Sequence, residues 1–337
     1  VAAFVLDGIP VDRMILFSSS GTTGYPLSVP SHPRVAAGYL AFHKRALRRM
    51  GVELSAGTGD VSVMLVGFQK RCFTYASFNP LMGEAGLVKI NLNPDEWRTP
   101  DDRARYVDEL APELITGDPV SLAELAALDF AHRPRAIMST SMALAPALRA
   151  RLQARFSCPV ADIYSMTEAG PIASWSDAHG GFLLLQNRLY VEILSPDGSA
   201  LPPGERGEIA LTGGFNFYLP LVRYRTGDYA SLRHTADGPA LFGLEGRPPV
   251  RFRSVTNQWY NNVDITHALA RFALSQYALR QNADSSLTLR LRDGDRHLEC
   301  AVVRALEDTL GRGIVISVEP LTADDKVVQY TSELCEQ

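Results

Sequence analysis

Three short stretches carry residue types that could do chemistry. The first is LFSSSGTTGYP, residues 16–26, where three serines, two threonines and two glycines follow a short apolar run. Small residues let a backbone wrap an anion with its N–H groups, and the hydroxyls of Ser18, Ser19, Ser20, Thr22 and Thr23 around Gly21 and Gly24 add donors. The same composition also makes a flexible linker. The Walker pattern is absent, because Gly24 is followed by Tyr25 and no lysine comes near. The second stretch is YSMTEAGP (164–171) and the third YRTGD (224–228), with the dipeptide Gly246-Arg247 beyond it. Taken singly each has a plain reading: Thr167 can open a helix as an N-cap, RTGD can be a surface turn, and Gly-Arg is a common pair.

These stretches need elements to hold them. At 337 residues the chain exceeds what one hydrophobic core usually serves, so a large domain and a smaller one are expected. After the Ser/Thr loop, PRVAAGYLAFHKRALRRMG has apolar residues at helical spacing and a glycine stop. DVSVMLVGF reads as a buried strand and GLVKINL as another. Residues 101–157 then alternate: helix DDRARYVDELA, strand ELITG, helix VSLAELAAL, strand PRAIMST, helix PALRARLQARF. Alternating strands and helices imply βαβ units, hence an α/β fold with mostly parallel sheets flanked by helices. Ligands in such sheets gather at the carboxyl ends of the strands. From about 182 the texture is β-rich (FLLLQNRLYVEIL, the turn SPDGSALPPGERG, EIALTG). A boundary near 247–253 divides a large N-terminal domain, 1–247, from a small α+β C-terminal domain, 248–337. The latter is expected to hold a helix near 264–279, a hairpin LTLRLRDGDRHLECAVV turning at Asp293-Gly294, a helix near 304–311 and the strand IVISVEPL.

Composition excludes several classes. With 46% apolar and 21% charged residues the chain is an ordinary globular one, and a net charge of −4 gives no reason to expect nucleic acid. The cluster HKRALRRM (43–50) reads as the solvated face of a helix, and no basic run addresses an anionic membrane. No apolar run reaches the ~18 residues of a membrane-spanning helix. Cys72, Cys158, Cys300 and Cys335 lie far apart, without a zinc pair or a disulfide framework, which fits reduced thiols and a cytoplasmic location. VAAFVLDGIP has no basic n-region for secretion. It also lacks an initiator Met, as a trimmed chain would.

In this order, the three stretches and the Gly246-Arg247 pair resemble the core motifs of the adenylate-forming superfamily of acyl-CoA synthetases, nonribosomal-peptide adenylation domains and luciferases. The resemblance runs from about residue 16 to 331. The missing lysine after the loop and the spacing of ALFGLEGR look closest to the phenylacetate-CoA ligase-like branch. The resemblance implies that a carboxylic acid reacts with ATP and Mg²⁺ to give an acyl-adenylate and pyrophosphate, for transfer to CoA, a carrier protein or a reductase. SSSGTTG would hold the pyrophosphate, and Thr167 would donate to the α-phosphate. Glu168 would hold the hard cation through carboxylate oxygen. Tyr164, in the adenine motif with Ser165 and Met166, would stack on the base. Asp228 would accept from the ribose hydroxyls, and Arg247 would contact ribose or phosphate. VEPLTADDKVVQYTSEL resembles the segment of the catalytic lysine, which implies Lys326, although Asp325 stands where a glycine is usual.

The chain departs from that pattern in places. Only 17 residues precede the phosphate loop, far fewer than relatives carry. Pro248 and Pro249 occupy acidic hinge positions and Val255 a glycine, so adenylation is a firmer expectation than CoA transfer. Phe68, Phe73, Tyr75 and Phe78 fall where relatives line the acyl pocket, with Ser139, Met142, Gly170 and Pro171 as further walls. Aromatic walls with small residues suit an aryl acid. In its brevity the chain is similar to aryl-acid activators of phenazine-antibiotic pathways. The rival reading is a binding protein that keeps the nucleotide and acyl sites without turnover.

Overall fold

The computed structural model describes residues 5, 9–18, 28–68, 74–246, 250–269, 271–322 and 328–334. Strands β1 (Ile15–Ser18) and β2 (Ser28–Ser31) form an antiparallel hairpin in which Ser18 pairs with Ser28. Helix α1 (Pro33–Arg49) begins where the His32 side chain accepts the Arg34 N–H, and it ends on Arg48 and Arg49. One end thus gains a cap and the other a charge that suits the helix dipole.

Three strands follow, β3 (Val61–Gly67), β4 (Tyr75–Asn79) and β5 (Ala85–Asn91), and helices then alternate with strands: α2 (Asp102–Leu110), β6 (Leu114–Gly117), α3 (Pro119–Ala127), β7 (Ala136–Ser139), α4 (Pro146–Phe156) and β8 (Val160–Met166). Strands β5, β3, β6, β7 and β8 lie side by side and parallel. Apolar side chains leave both faces of these strands, so both faces must be covered. Met64, Ile115, Ile137 and Val160 pack with Val107, Leu122, Leu125 and Leu152 of α2–α4. Leu114, Ala136, Met138 and Ile163 pack with Leu40 and Leu47 of α1 on the opposite side.

The same sheet continues through β9 (Gly170–Ser176), β10 (Gly181–Leu184), β11 (Leu189–Leu194), β12 (Arg206–Gly213), β13 (Leu221–Thr235) and β14 (Gly238–Gly246). Its twelve strands run in the order β11-β12-β13-β14-β10-β9-β8-β7-β6-β3-β5-β4, and every pairing beyond β8 is antiparallel. Strand β8 is the joint. Val160–Asp162 pair in parallel with β7, whereas Ile163–Met166 pair antiparallel with β9. Tyr164, Ser165 and Met166 therefore overrun the end of β7 at the carboxyl edge of the parallel half. The fold is α/β, with a large mixed sheet flanked by helices and a small C-terminal β-containing domain.

That small domain holds the hairpin β15 (Arg251–Arg253) and β16 (Trp259–Asn261), α5 (Asn262–Leu269), β17 (Tyr277–Gln281), β18 (Leu287–Leu291), α6 (Glu299–Leu310), β19 (Ile316–Pro320) and β20 (Tyr330–Ser332). Its sheet runs β19-β18-β17-β20 over a core of Phe252, Leu279, Leu289, Val302 and Leu306. Three local expectations are corrected here. Asp293-Gly294 is no hairpin turn: it opens a 3-10 helix (Asp293–Leu298) that leads directly into α6. Buried Asp295 accepts from the Ser275 backbone N–H at 2.8 Å and hydroxyl at 2.7 Å, and Val302, Ala305 and Leu306 face the core at helical spacing. The helix expected near 304–311 accordingly starts at Glu299. The helix expected over 264–279 ends at Leu269, because Tyr277–Gln281 pairs with strands on both sides and tertiary pairing overrides local propensity.

Candidate active site

Thr167, Glu168 and Ala169 form the turn between β8 and β9, so YSMTEAGP is a strand, a turn and a strand rather than a helix start. Gly170 closes the turn at φ +69°, and a Cβ there would sit 2.7 Å from Cε1 of Tyr39 on α1. Only glycine meets both demands. Buried Gln186 clamps the turn from the other side, donating Nε2 to the carbonyls of Ala169 at 2.7 Å and Pro171 at 2.8 Å.

YRTGD lies within β13, not in a surface turn. Gly227 adopts φ +76°, and the strand shifts register against β12 across it and against β14 just beyond it, between Tyr229 and Ser231. Such irregularities re-aim side chains. Buried Glu208 of β12 holds the kink: it accepts from the Gly227 N–H at 3.0 Å and from Arg225 Nε at 2.6 Å. Thr226 Oγ1 donates to the Ile209 carbonyl and accepts the Asp228 N–H, both at 3.0 Å. Asp228 pairs across the strands with Gly246.

The two motifs meet. The Tyr164 hydroxyl donates to Asp228 Oδ2 at 2.6 Å, and the Tyr224 hydroxyl donates to Glu168 Oε1 at 2.9 Å. Burial, followed by the charge of Asp228, pushes the Tyr164 phenol well above its ordinary range; burial and Glu168 do the same for Tyr224. Tyr39 is raised by burial and by Glu168 as well. All three phenols stay protonated and can donate. Beneath them, buried Asp162 pairs with Ser139 across β8 and β7. Burial pushes its carboxyl up to about 7 despite nearby Arg149, which is engaged by Asp177 at 2.8 and 2.9 Å.

The acyl-pocket residues are more dispersed. Ser139 is fully buried at the end of β7, and its hydroxyl finds no protein partner. Half-buried Met142 takes a hydrogen bond from Gln276 of the small domain, at 3.2 Å to Sδ. Gly170 and Pro171 are buried at the start of β9. The aromatics are not gathered into one cluster. Phe68 packs against the core under α2–α4, while Tyr75 and Phe78, on edge strand β4, are 46% and 76% exposed and point to opposite faces by strand alternation. Phe73, Ser19, Ser20, Gly21, Thr22, Thr23, Gly24, Arg247, Pro248, Pro249 and Lys326 lie outside the described residues; Ser18 ends β1. Val255 sits in the β15–β16 turn, its N–H bonded to the Leu310 carbonyl at 2.9 Å, and a Cβ on Gly311 would meet its Cγ2 at 2.2 Å. The valine is thus matched by a glycine at the end of α6. Tyr39, Asp162, Gln186, Glu208 and Tyr224 escape sequence reasoning. Among them only Tyr224, first residue of YRTGD, stands inside a motif.

The chain belongs to the AMP-binding enzyme family, whose model matches residues 10–218. It is similar to the phenylacetate-coenzyme A ligase of Escherichia coli (strain K12), at 26% identity over 66% of this chain and 52% of that protein. Among solved structures it resembles 2-hydroxyisobutyryl-CoA ligase in the postadenylation state with 2-HIB-AMP, with TM-score 0.67, 15% identity and coverage of 96% and 75% of the two chains. It also resembles an anthranilate CoA ligase in complex with anthranoyl-AMP, with TM-score 0.61, 16% identity and coverage of 93% and 64%. The chain spans about half the length of the curated relatives it matches. No helix among the described residues is long and apolar enough to cross a membrane.

Nor do three or more His, Cys, Asp or Glu side chains among the described residues converge as a self-contained metal site. The donor set fits Mg²⁺ in another way. One buried carboxylate, Glu168, suits a cation that takes one or two protein carboxylates and completes its shell with phosphate oxygens and water.

Proposed function

We propose that this chain activates a carboxylic acid, an aromatic one, by condensing it with ATP in a Mg²⁺-dependent reaction that yields an acyl-adenylate and pyrophosphate. The observation that carries the reading is the meeting of Tyr164, Glu168, Tyr224 and Asp228 at the carboxyl edge of the parallel strands. A carboxylate is a poor nucleophile toward a polyanion, so the site must screen charge and hold the reacting atoms in line. In this reading Asp228 accepts from the ribose and the Tyr164 ring lies under adenine. Thr167 donates to the α-phosphate, and Ser18 to Gly24 cradle the departing pyrophosphate. Glu168 would hold Mg²⁺, which supplies neutralisation of the phosphate charge. Arg247 and Lys326 bring cations, the lysine bridging the acid carboxylate and the α-phosphate. A carboxylate oxygen then attacks the α-phosphorus as the bond to the β-phosphate bridging oxygen breaks.

The domain division at 247, with Lys326 on the smaller part, belongs to the same proposal. Support for an aromatic acid comes from the phenylacetate and anthranilate named for the relatives. CoA, a carrier protein or a reductase would take the acyl group. With prolines at the pivot and Val255 wedged against Gly311, transfer to CoA is proposed to be slow. A second reading, a binder without turnover, draws on the same departures. ATP–pyrophosphate exchange across a panel of acids separates the two: a binder shows ligand-dependent melting shifts and no exchange.

A further inference from the structure

In both motifs a tyrosine stands four residues before an acid, Tyr164 before Glu168 and Tyr224 before Asp228. The hydrogen bonds do not stay within a motif. Each tyrosine reaches the acid of the other, Tyr164 to Asp228 at 2.6 Å and Tyr224 to Glu168 at 2.9 Å. The strands that carry them are not neighbours: β14, β10 and β9 separate β13 from β8 in the sheet. Two reciprocal bonds therefore close the curled sheet over itself at this point. The backbone around each acid is separately pinned, by Gln186 behind Glu168 and by Glu208 and Thr226 behind Asp228. What remains to be fixed is the placement of one acid relative to the other, and the crossed hydroxyls are the groups that join them.

We propose that Tyr164 and Tyr224 form a reciprocal clasp whose hydroxyls position the two carboxylates as a unit, so that the ribose end and the cation end of the site are coupled. The inference rests on the nucleotide reading of Asp228 and Glu168. Its consequence is that Tyr224, bonded to the cation-side carboxylate, governs recognition of the ribose. Losing its bond frees Glu168, and with it the placement of β8 against β13 on which the Tyr164–Asp228 bond depends. A hydrogen bond to a charged acceptor is the kind whose loss is felt strongly.

The test is equilibrium binding of AMP, and of 2′,3′-dideoxy-AMP, without metal or acid, by titration calorimetry. Wild-type protein is expected to prefer AMP. Tyr224→Phe should weaken AMP roughly tenfold, about 1.4 kcal/mol, and leave the dideoxy compound unchanged. Tyr164→Phe should do likewise, and the double variant should lose little more than either single one. Independent bonds would multiply to roughly a hundredfold and overturn the clasp, as would unchanged AMP affinity in Tyr224→Phe. If wild type binds both nucleotides equally, the ribose reading of Asp228 is itself wrong and the clasp falls with it. A second pair of variants decides the matter if Tyr224→Phe does not fold. Glu168→Gln keeps an oxygen for Tyr224 and should retain metal-free AMP affinity, whereas Glu168→Ala should lose the same tenfold. Equal affinities in these two contradict the proposal.

Discussion

Replacing Asp162 by asparagine should make the protein more stable at neutral and alkaline pH and flatten its pH dependence. Asp162 is 8% exposed, and its carboxyl rises from an ordinary 3.8 to about 7 because burial penalises the charge. At 1.36 kcal/mol per pH unit, holding it ionised in the fold costs about 4 kcal/mol. The sign follows from proton counts. Between pH 4 and 7 the unfolded chain has released a proton that the folded chain keeps, so stability falls as pH rises across that window and levels off above it. Asparagine has no proton to release, and it preserves the shape of the side chain beside Ser139. Urea denaturation at pH 4.5, 6 and 8, followed through Trp97 and Trp175 in the large sheet domain, is the assay. The variant should gain up to about 4 kcal/mol over wild type at pH 8 and little or nothing at pH 4.5. A difference between the two proteins that does not change with pH would refute the reasoning, since a packing effect has no such slope.

Glu168→Gln should lower adenylation turnover about 10²-fold or more while leaving the fold intact, because a neutral amide holds Mg²⁺ poorly; unchanged exchange kinetics would remove Glu168 from the mechanism. Asp228→Ala should raise the KM for ATP, since each hydrogen bond to a charged acceptor contributes roughly 1.5–3 kcal/mol, and an unaltered KM would count against the ribose assignment. Gly311→Ala should destabilise the small domain by about 3 kcal/mol, through its left-handed φ of +107° and the contact with Val255. Adding Val255→Gly should restore only the steric part, and a full or absent rescue, read as the denaturation midpoint of Trp259 fluorescence, would show that the two causes were misassigned.

The parallel half of the fold was legible because its strands and helices follow their periodicities, and their ends place Ser139 and Tyr164 on one edge. The site motifs were legible as strings, YSMTEAGP and YRTGD, though not as local structure: a left-handed Gly170 and a kink at Gly227 make strands and a turn of what read as a helix cap and a surface loop. The crossed tyrosine bonds were invisible, since they depend on how a twelve-stranded sheet curls. Gln186 falls in the break between two strands that read as one run, and nothing about a lone glutamine announces a clamp. In the small domain Asp293-Gly294 has the composition of a hairpin turn, and the burial of Asp295 against Ser275 decides otherwise. For the aromatic residues, the resemblance placed Phe68, Tyr75 and Phe78 along one pocket wall, whereas strand alternation and an exposed edge separate them in the fold.

Acid-dependent exchange of labelled pyrophosphate into ATP by the purified protein, with Mg²⁺ present, over a panel of aromatic and aliphatic carboxylic acids, is the most direct measurement of the proposed chemistry. The prediction is exchange that requires an acid, is fastest with an aromatic one, and is lost in Glu168→Gln. Absence of exchange with every acid, in protein that still binds AMP, would contradict the proposed chemistry and leave a nucleotide-binding member of the family in its place.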